Sequence, residues 1–202
     1  MLDSNISADN RQSIAKRRLI VGISGASGAL YGIRLLELLA QQPNIETHLV
    51  ISHSAKRTID LETDYEYDNV IAMADHYYDI GDIAANISSG SFRTDGMIIV
   101  PCSIKTLSGI ANSYSDNLLI RAADVVLKEQ RRLVLCVRET PLHLGHIQLM
   151  QTACQIGATI MPLVPAFYHK PNSVEQLVDQ SLTRVLDQFN IANHFNYGWR
   201  HD

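Results

Sequence analysis

Cysteine is scarce in this chain: the 202 residues hold three, Cys102, Cys136 and Cys154, with no Cys-x-x-Cys pair. Such spacing argues against a disulfide framework or a thiolate metal site, and it predicts free, buried thiols in a reducing cytoplasm. Long apolar runs are also missing; none approaches the roughly 20 residues that a membrane-spanning helix needs. Positive charge is not in excess either. With a formal net charge of −4 at pH 7, no broad basic surface for nucleic acid is expected, so any cationic site must be local. Residues 1–17 carry no long apolar segment and read as a flexible arm rather than a leader, while 192–202, with the single Trp199, read as a tail. What remains, 18–191, is the length of one α/β domain with a substantial core.

A further absence concerns nucleotide binding. Leu19 to Gly28 reads Leu-Ile-Val-Gly-Ile-Ser-Gly-Ala-Ser-Gly, an apolar strand entering a small-residue loop, and a helix-like run follows at once. Strand, tight turn and helix N-terminus together favour an anion. Yet Gly22, Gly25 and Gly28 fall at G-x-x-G-x-x-G, not at the G-x-G-x-x-G of dinucleotide binders. The next strand, Thr47 to Ser52, ends in Ser52-His53-Ser54, with no acidic residue to hold a ribose. A phosphate-bearing ligand fits this pattern better than NAD does.

Apolar runs of strand length near 19–24, 46–52, 96–100, 132–137 and 158–161 alternate with amphipathic stretches near 28–41, 54–62, 103–113, 117–130, 143–156 and 173–189. That alternation predicts a doubly wound, Rossmann-like parallel sheet covered by helices on both faces, with a short helix near 79–85 in the irregular part. Ligands in such folds sit beyond the carboxyl ends of the strands. Every strand here is followed by hydroxyls, charges or prolines: Ser24 to Ser27, Ser52, Pro101 to Thr106, Arg138 to Pro141, and Pro162 to Pro171.

Within these segments, Ser103 and Thr106 stand one turn apart at a helix start, where they can cap the helix, bind a ligand or do both. Arg121, Asp124 and Lys128 share a face of a mostly apolar helix; they read either as Arg121–Asp124 and Lys128–Glu129 structural pairs or as a phosphate site. Arg138 suits bidentate phosphate recognition, and Glu139 beside it can relay a proton. Tyr168 lies in a loop bounded by Pro165 and Pro171, and Arg184 on the helix that follows. His143 and His146 have a spacing usable by a metal, but no third ligand is evident, so no metal site is expected. Cys102 lacks an identifiable His-plus-acid partner and reads as a buried thiol.

Seven motifs in order, Gly-Ile-Ser-Gly-Ala-Ser-Gly (22–28), Leu-Glu-Thr-Asp (61–64), Ser-Ser-Gly-Ser-Phe (88–92), Pro-Cys-Ser-Ile-Lys-Thr-Leu (101–107), Arg-Ala-Ala-Asp-Val-Val-Leu-Lys-Glu (121–129), Arg-Glu-Thr-Pro-Leu (138–142) and Pro-Ala-Phe-Tyr-His-Lys-Pro (165–171), resemble the UbiX/Pad-type flavin prenyltransferases. The resemblance runs from about Arg18 to Ile191 and departs at Gln130-Arg131-Arg132. It implies a metal-independent enzyme that joins a dimethylallyl group from dimethylallyl monophosphate to N5 and C6 of reduced FMN. It also implies a UbiD-type decarboxylase as recipient of the prenylated FMN, a setting in ubiquinone biosynthesis, and a homododecamer with sites at subunit boundaries. Carried over by position, Gly25, Ala26, Ser27, Ser52, Ser103, Thr106 and Arg138 would hold FMN. Arg121, Lys128, Glu139, Tyr168 and Arg184 would surround the prenyl phosphate, with Tyr168 and Arg184 coming from a neighbouring chain, and Ser27, Glu62, Lys128 and Glu139 would carry the chemistry.

Two other readings are open at this point. A flavin-dependent cysteine decarboxylase would need a catalytic His and a Pro-x-Ala-Asn-type loop, where this chain has Pro101-Cys-Ser-Ile-Lys-Thr. A non-catalytic flavin carrier would have little use for Arg121, Lys128 and Glu139.

Overall fold

In the computed structural model the described residues are 16–192; the expected arm before residue 16 and the tail with Trp199 lie outside them. Six parallel strands form one sheet: β1 (Arg17–Ile23), β2 (Ile45–Ile51), β3 (His76–Tyr78), β4 (Gly96–Cys102), β5 (Arg132–Val137) and β6 (Ala158–Ile160). Their spatial order is β3-β2-β1-β4-β5-β6, the doubly wound order whose chain reversal lies between β1 and β4. Strands buried on both faces read as continuous apolar runs, and β1 and β4 do so because helices cover both sides.

On one face lie α1 (Ala29–Ala40), α2 (His53–Glu62), α3 (Tyr67–Ala72) and α7 (Val174–Asp187), packing Leu36, Ile59, Val70 and Leu182 against Val21, Leu49, Ile98 and Val134. The other face carries α4 (Ile104–Ala111), α5 (Leu118–Lys128) and α6 (Leu144–Gln155), whose Leu107, Leu119, Ala123, Val126 and Ala153 meet Ile20, Met97, Ile99 and Leu135. Side chains alternate across each strand, so odd and even positions of one strand feed the two separate cores.

Helices begin almost without a loop. Ser52 alone separates β2 from α2, and Ser103 alone separates β4 from α4; each hydroxyl accepts the amide of the third residue on, Ala55 at 3.1 Å and Thr106 at 3.3 Å. Asn117 caps α5 in the same way at 3.1 Å. A cap of this kind contributes about 1 kcal/mol, and here it also fixes where a hydroxyl stands at a strand's end.

Four expectations need correction. The short helix near 79–85 is absent, and the only helical turn there is a 3-10 turn at Asn86–Ser88. Asp79 and Asp82 instead accept the amides of Gly81 at 2.8 Å and Ala84 at 3.2 Å, local bonds that compete with helix formation. β3 and α3 were not anticipated: three residues and six residues are too short for periodicity to show. The domain starts one residue earlier than expected, since Arg17 is already in β1 and its amide donates to the Asn44 carbonyl at 2.8 Å. Finally, Cys102 and Cys136 are buried as expected, but Cys154 is exposed on the outer side of α6.

Candidate functional site

At the β1/β4 reversal the carboxyl ends of the two strands are tied together. The Ser24 hydroxyl donates to the Pro101 carbonyl at 2.9 Å and accepts the Ser103 amide at 2.7 Å, and the Ser24 amide reaches Pro101 at 3.2 Å. Beyond this clamp opens a cleft of about 540 Å³ lined by Gly25, Ser52, Ser103, Thr106, Asn117 and Glu139, with Ile80, Ile104, Leu119 and Ile120 as its apolar part. Size, apolar walls and a few aimed hydroxyls suit a planar heterocycle carrying a phosphorylated chain. Gly25 is required by contact: a Cβ there would stand 2.2 Å from Ser54 Cβ. Ser103 donates its hydroxyl to Thr106 Oγ1 at 3.2 Å, so cap and ligand-facing residue are one. Sequence reading missed His53, Ser54, Asp116 and Asn117 on the cleft wall. The helix starts that follow β2 and precede α5 were the available signal.

The glycine loop holds a surprise in its charge. Gly28 (φ 99°) turns the chain into α1, but its side-chain-free cap leaves the first amides of the helix open. They do not wait for phosphate. Glu62, at the end of α2, accepts from Gly28 N at 2.7 Å and Ala29 N at 3.1 Å. Partial burial pushes the Glu62 carboxyl up, but the Ser27 hydroxyl, these two amides and the nearby Arg138 charge outweigh it and hold it below the usual carboxylate range. The anion site expected at this helix N-terminus therefore exists, and the protein's own carboxylate fills it. Ser27, Glu62 and Arg138 form one group at the loop, with Ala26 buried behind it. Arg138 and Glu139 follow β5 and are exposed; the Glu139 carboxylate accepts the Thr140 amide at 2.9 Å.

The cations of α5 lie elsewhere. Arg121 pairs with Asp124 at 2.7 Å and donates to the Ser88 carbonyl at 3.3 Å. Lys128 pairs with Glu129 at 2.7 Å beside Gly90, where an added Cβ would meet Lys128 Nζ at 2.9 Å. Both structural pairs weighed from sequence are present, on a helix face that packs against 88–92. Arg131 holds that loop through the Gly90 carbonyl at 2.7 Å and the Phe92 carbonyl at 2.9 Å. Seven residues separate Arg121 from Lys128, roughly 10 Å along the helix, too far for both to grip one phosphate from within one chain.

Tyr168 and Arg184 are together in a third place, a pocket of about 80 Å³ between the loop after β6 and α7 that shares no lining residue with the cleft. Arg184 is exposed and pairs with Asp187 at 2.7 Å. His143 caps α6, its Nδ1 accepting the Gly145 amide at 3.0 Å.

The Flavoprotein family profile matches residues 7–186. Flavin prenyltransferase UbiX of Escherichia coli (strain K12) is 65% identical over 176 residues, covering 87% of this chain and 93% of that protein. Among solved structures, a dodecameric FMN-dependent UbiX-like decarboxylase from Escherichia coli O157:H7 superposes with a TM-score of 0.89 at 51% identity, covering 91% of this chain and 99% of that one. AnUbiX (PadA1) in complex with FMN and dimethylallyl pyrophosphate superposes with a TM-score of 0.87 at 50% identity, covering 92% and 100%.

Proposed function

The chain belongs to the Flavoprotein family and, within it, to the flavin prenyltransferases, and on that premise we propose that it joins a dimethylallyl group from dimethylallyl monophosphate to reduced FMN at N5 and C6. The observation that carries this reading is the division of the chain into a finished flavin cleft of about 540 Å³ and sets of cations and a phenol mounted away from it. A carrier would need only the first.

Gly25, Ala26, Ser27, Ser52, Ser103, Thr106 and Arg138 hold the flavin, their amides and hydroxyls presented at strand ends and the apolar walls covering the ring. Reduced FMN supplies the electron pair for the new bond. Arg121, Lys128 and Arg184 stabilise the departing phosphate electrostatically, and Tyr168 donates a hydrogen bond to it. Asp124 and Glu129 hold the first two cations until the phosphate displaces them; half-exposed pairs of this type contribute about 0–1 kcal/mol, so the exchange is cheap. Glu62 stays ionised at neutral pH and stands against Ser27, which makes the pair a proton relay at the reacting edge, while Glu139 on the cleft wall is the acceptor for the ring proton.

Because Tyr168 and Arg184 line a pocket of their own, they serve the cleft of a neighbouring subunit in a homododecamer, the assembly named for the relative from Escherichia coli O157:H7. Prenylated FMN passes to a UbiD-type decarboxylase in the cytoplasm; among the described residues no helix is long and apolar enough to cross a membrane. No observation favours the cysteine decarboxylase or carrier readings.

The test is anaerobic incubation of the purified protein with reduced FMN and dimethylallyl monophosphate or diphosphate, followed by mass spectrometry of the released flavin. A gain of one C5 unit is expected with the monophosphate. Bound FMN of unchanged mass with both donors would overturn the transferase reading.

A further inference from the structure

Away from the cleft, toward the amino end of the sheet's open edge, three side chains converge that sequence spacing gave no reason to associate. Glu46 and His48 are two residues apart on β2 and so share a face, and the register of the parallel pair sets His48 directly opposite His76 on β3. We propose that Glu46, His48 and His76 bind one divalent transition-metal ion of the zinc class.

The donor atoms, one from each residue, all lie within 4.8 Å of one another. Glu46 Oε1 stands 3.2 Å from His48 Nε2 and 3.0 Å from His76 Nε2. Bond lengths of about 2.0–2.2 Å in a tetrahedral site place neighbouring donors about 3.3 Å apart, close to both values. The decisive atom is His48 Nε2. It is buried, has the Glu46 oxygen 3.2 Å away, and still has no hydrogen bond. A hydrogen bond needs its acceptor along the N–H axis, whereas two ligands of one ion meet at an angle; the geometry suits the second arrangement.

The surroundings supply what a ligand histidine needs. Tyr78 Oη lies 2.9 Å from His48 Nδ1 and orients the ring from its far side. His76 stacks on His48 at 4.7 Å, and the Phe92 edge closes the site at 5.1 Å. Burial lowers the His48 pKa to about 4, which keeps the imidazole neutral near pH 7. Burial pushes Glu46 up, but Arg18 and the two histidines outweigh it and keep the carboxylate ionised. These are the protonation states that metals require. His76 is half-exposed, which gives the ion an entry and room for a water as fourth ligand. One feature opposes binding: Arg18 Nε holds Glu46 Oε2 at 3.3 Å, with its guanidinium over Phe92 at 4.6 Å. Arg18 leaves Oε1 to the ion but adds a nearby positive charge. The ion would tie the three-residue edge strand β3 to β2, four residues or roughly 13 Å of strand away from Ser52 and the flavin cleft.

The experiment is titration of the chelator-treated, full-length protein with Co²⁺, followed by displacement with Zn²⁺. One equivalent per chain should give the visible band of tetrahedral cobalt, and zinc should abolish it. His76→Ala, at the half-exposed position, should lose the band and weaken binding at least about tenfold while prenyl transfer stays at the wild-type rate. Arg18→Gln should tighten binding, because it removes the opposing charge. His143→Ala should leave the spectrum unchanged. No band in the wild type, or a band that survives His76→Ala or disappears with His143→Ala, would overturn the assignment.

Discussion

In the flavin cleft, each ligand-facing hydroxyl is also a structural one: Ser52 and Ser103 cap helices that start one residue past their strands, and Ser24 binds the two central strand ends together. The cationic residues assigned to the prenyl phosphate are held differently. Arg121, Lys128 and Arg184 sit at the surface, each restrained by one carboxylate from its own helix or the residue beside it. The first region is rigid because its geometry is backbone geometry. The second is a set of charges whose present partners are weak enough to be exchanged for a ligand. Binding the flavin and activating the donor are therefore separable properties of this chain.

The largest effect should come from breaking the second region alone. Arg121→Ala or Lys128→Ala should lower single-turnover prenyl transfer by about 10²–10³ while FMN titration by fluorescence quenching remains at the wild-type affinity. Glu139→Gln should likewise slow transfer without releasing FMN. Loss of FMN binding in any of these variants would merge the two regions.

Breaking the first region should cost stability and flavin together. Ser24→Ala leaves the Ser103 amide and the Pro101 carbonyl without a buried partner and should destabilise the fold by about 1–3 kcal/mol in urea unfolding. FMN affinity should fall with it.

Glu62 joins the two regions, and its sign with pH is definite. Its folded pKa lies below the unfolded value of about 4.5, so its contribution to stability is complete above that pH and disappears as pH falls through the lower folded value. Glu62→Gln should therefore be less stable than wild type at pH 7 and approach it below about pH 4, as read by thermal unfolding across pH.

The smallest expected effect is the most discriminating. Asp124→Asn should change stability by less than about 1 kcal/mol and lower KM for dimethylallyl monophosphate a few-fold, since the carboxylate competes with phosphate for Arg121. A raised KM would show instead that Asp124 aims the arginine.

The parallel sheet and its helices were legible because long apolar strands and capped, periodic helices leave period and punctuation in the sequence. β3 and α3 left neither, being three and six residues long. The flavin hydroxyls were legible for the same reason as the fold: a residue just past a strand's end in a doubly wound sheet has its place fixed by topology. Glu62 was found only by resemblance, because its partners at Gly28 and Ala29 are more than thirty residues away. The Glu46, His48 and His76 cluster escaped because a lone His-x-x-His or Glu-x-His carries no information about which strand lies alongside.

By itself the sequence determined what short-range physics encodes: an α/β chain with low charge and few thiols, a glycine loop that is not a dinucleotide fingerprint, and hydroxyls at every strand end. Tertiary structure alone decided which charges meet. Glu62 occupies the helix N-terminus that the loop offered, Tyr168 and Arg184 line a pocket apart from the flavin cleft, and two histidines face each other across a strand pair. Periodicity fixes the face a side chain takes on its own element, but the register and packing between elements fix its neighbour, and charge chemistry depends on the neighbour.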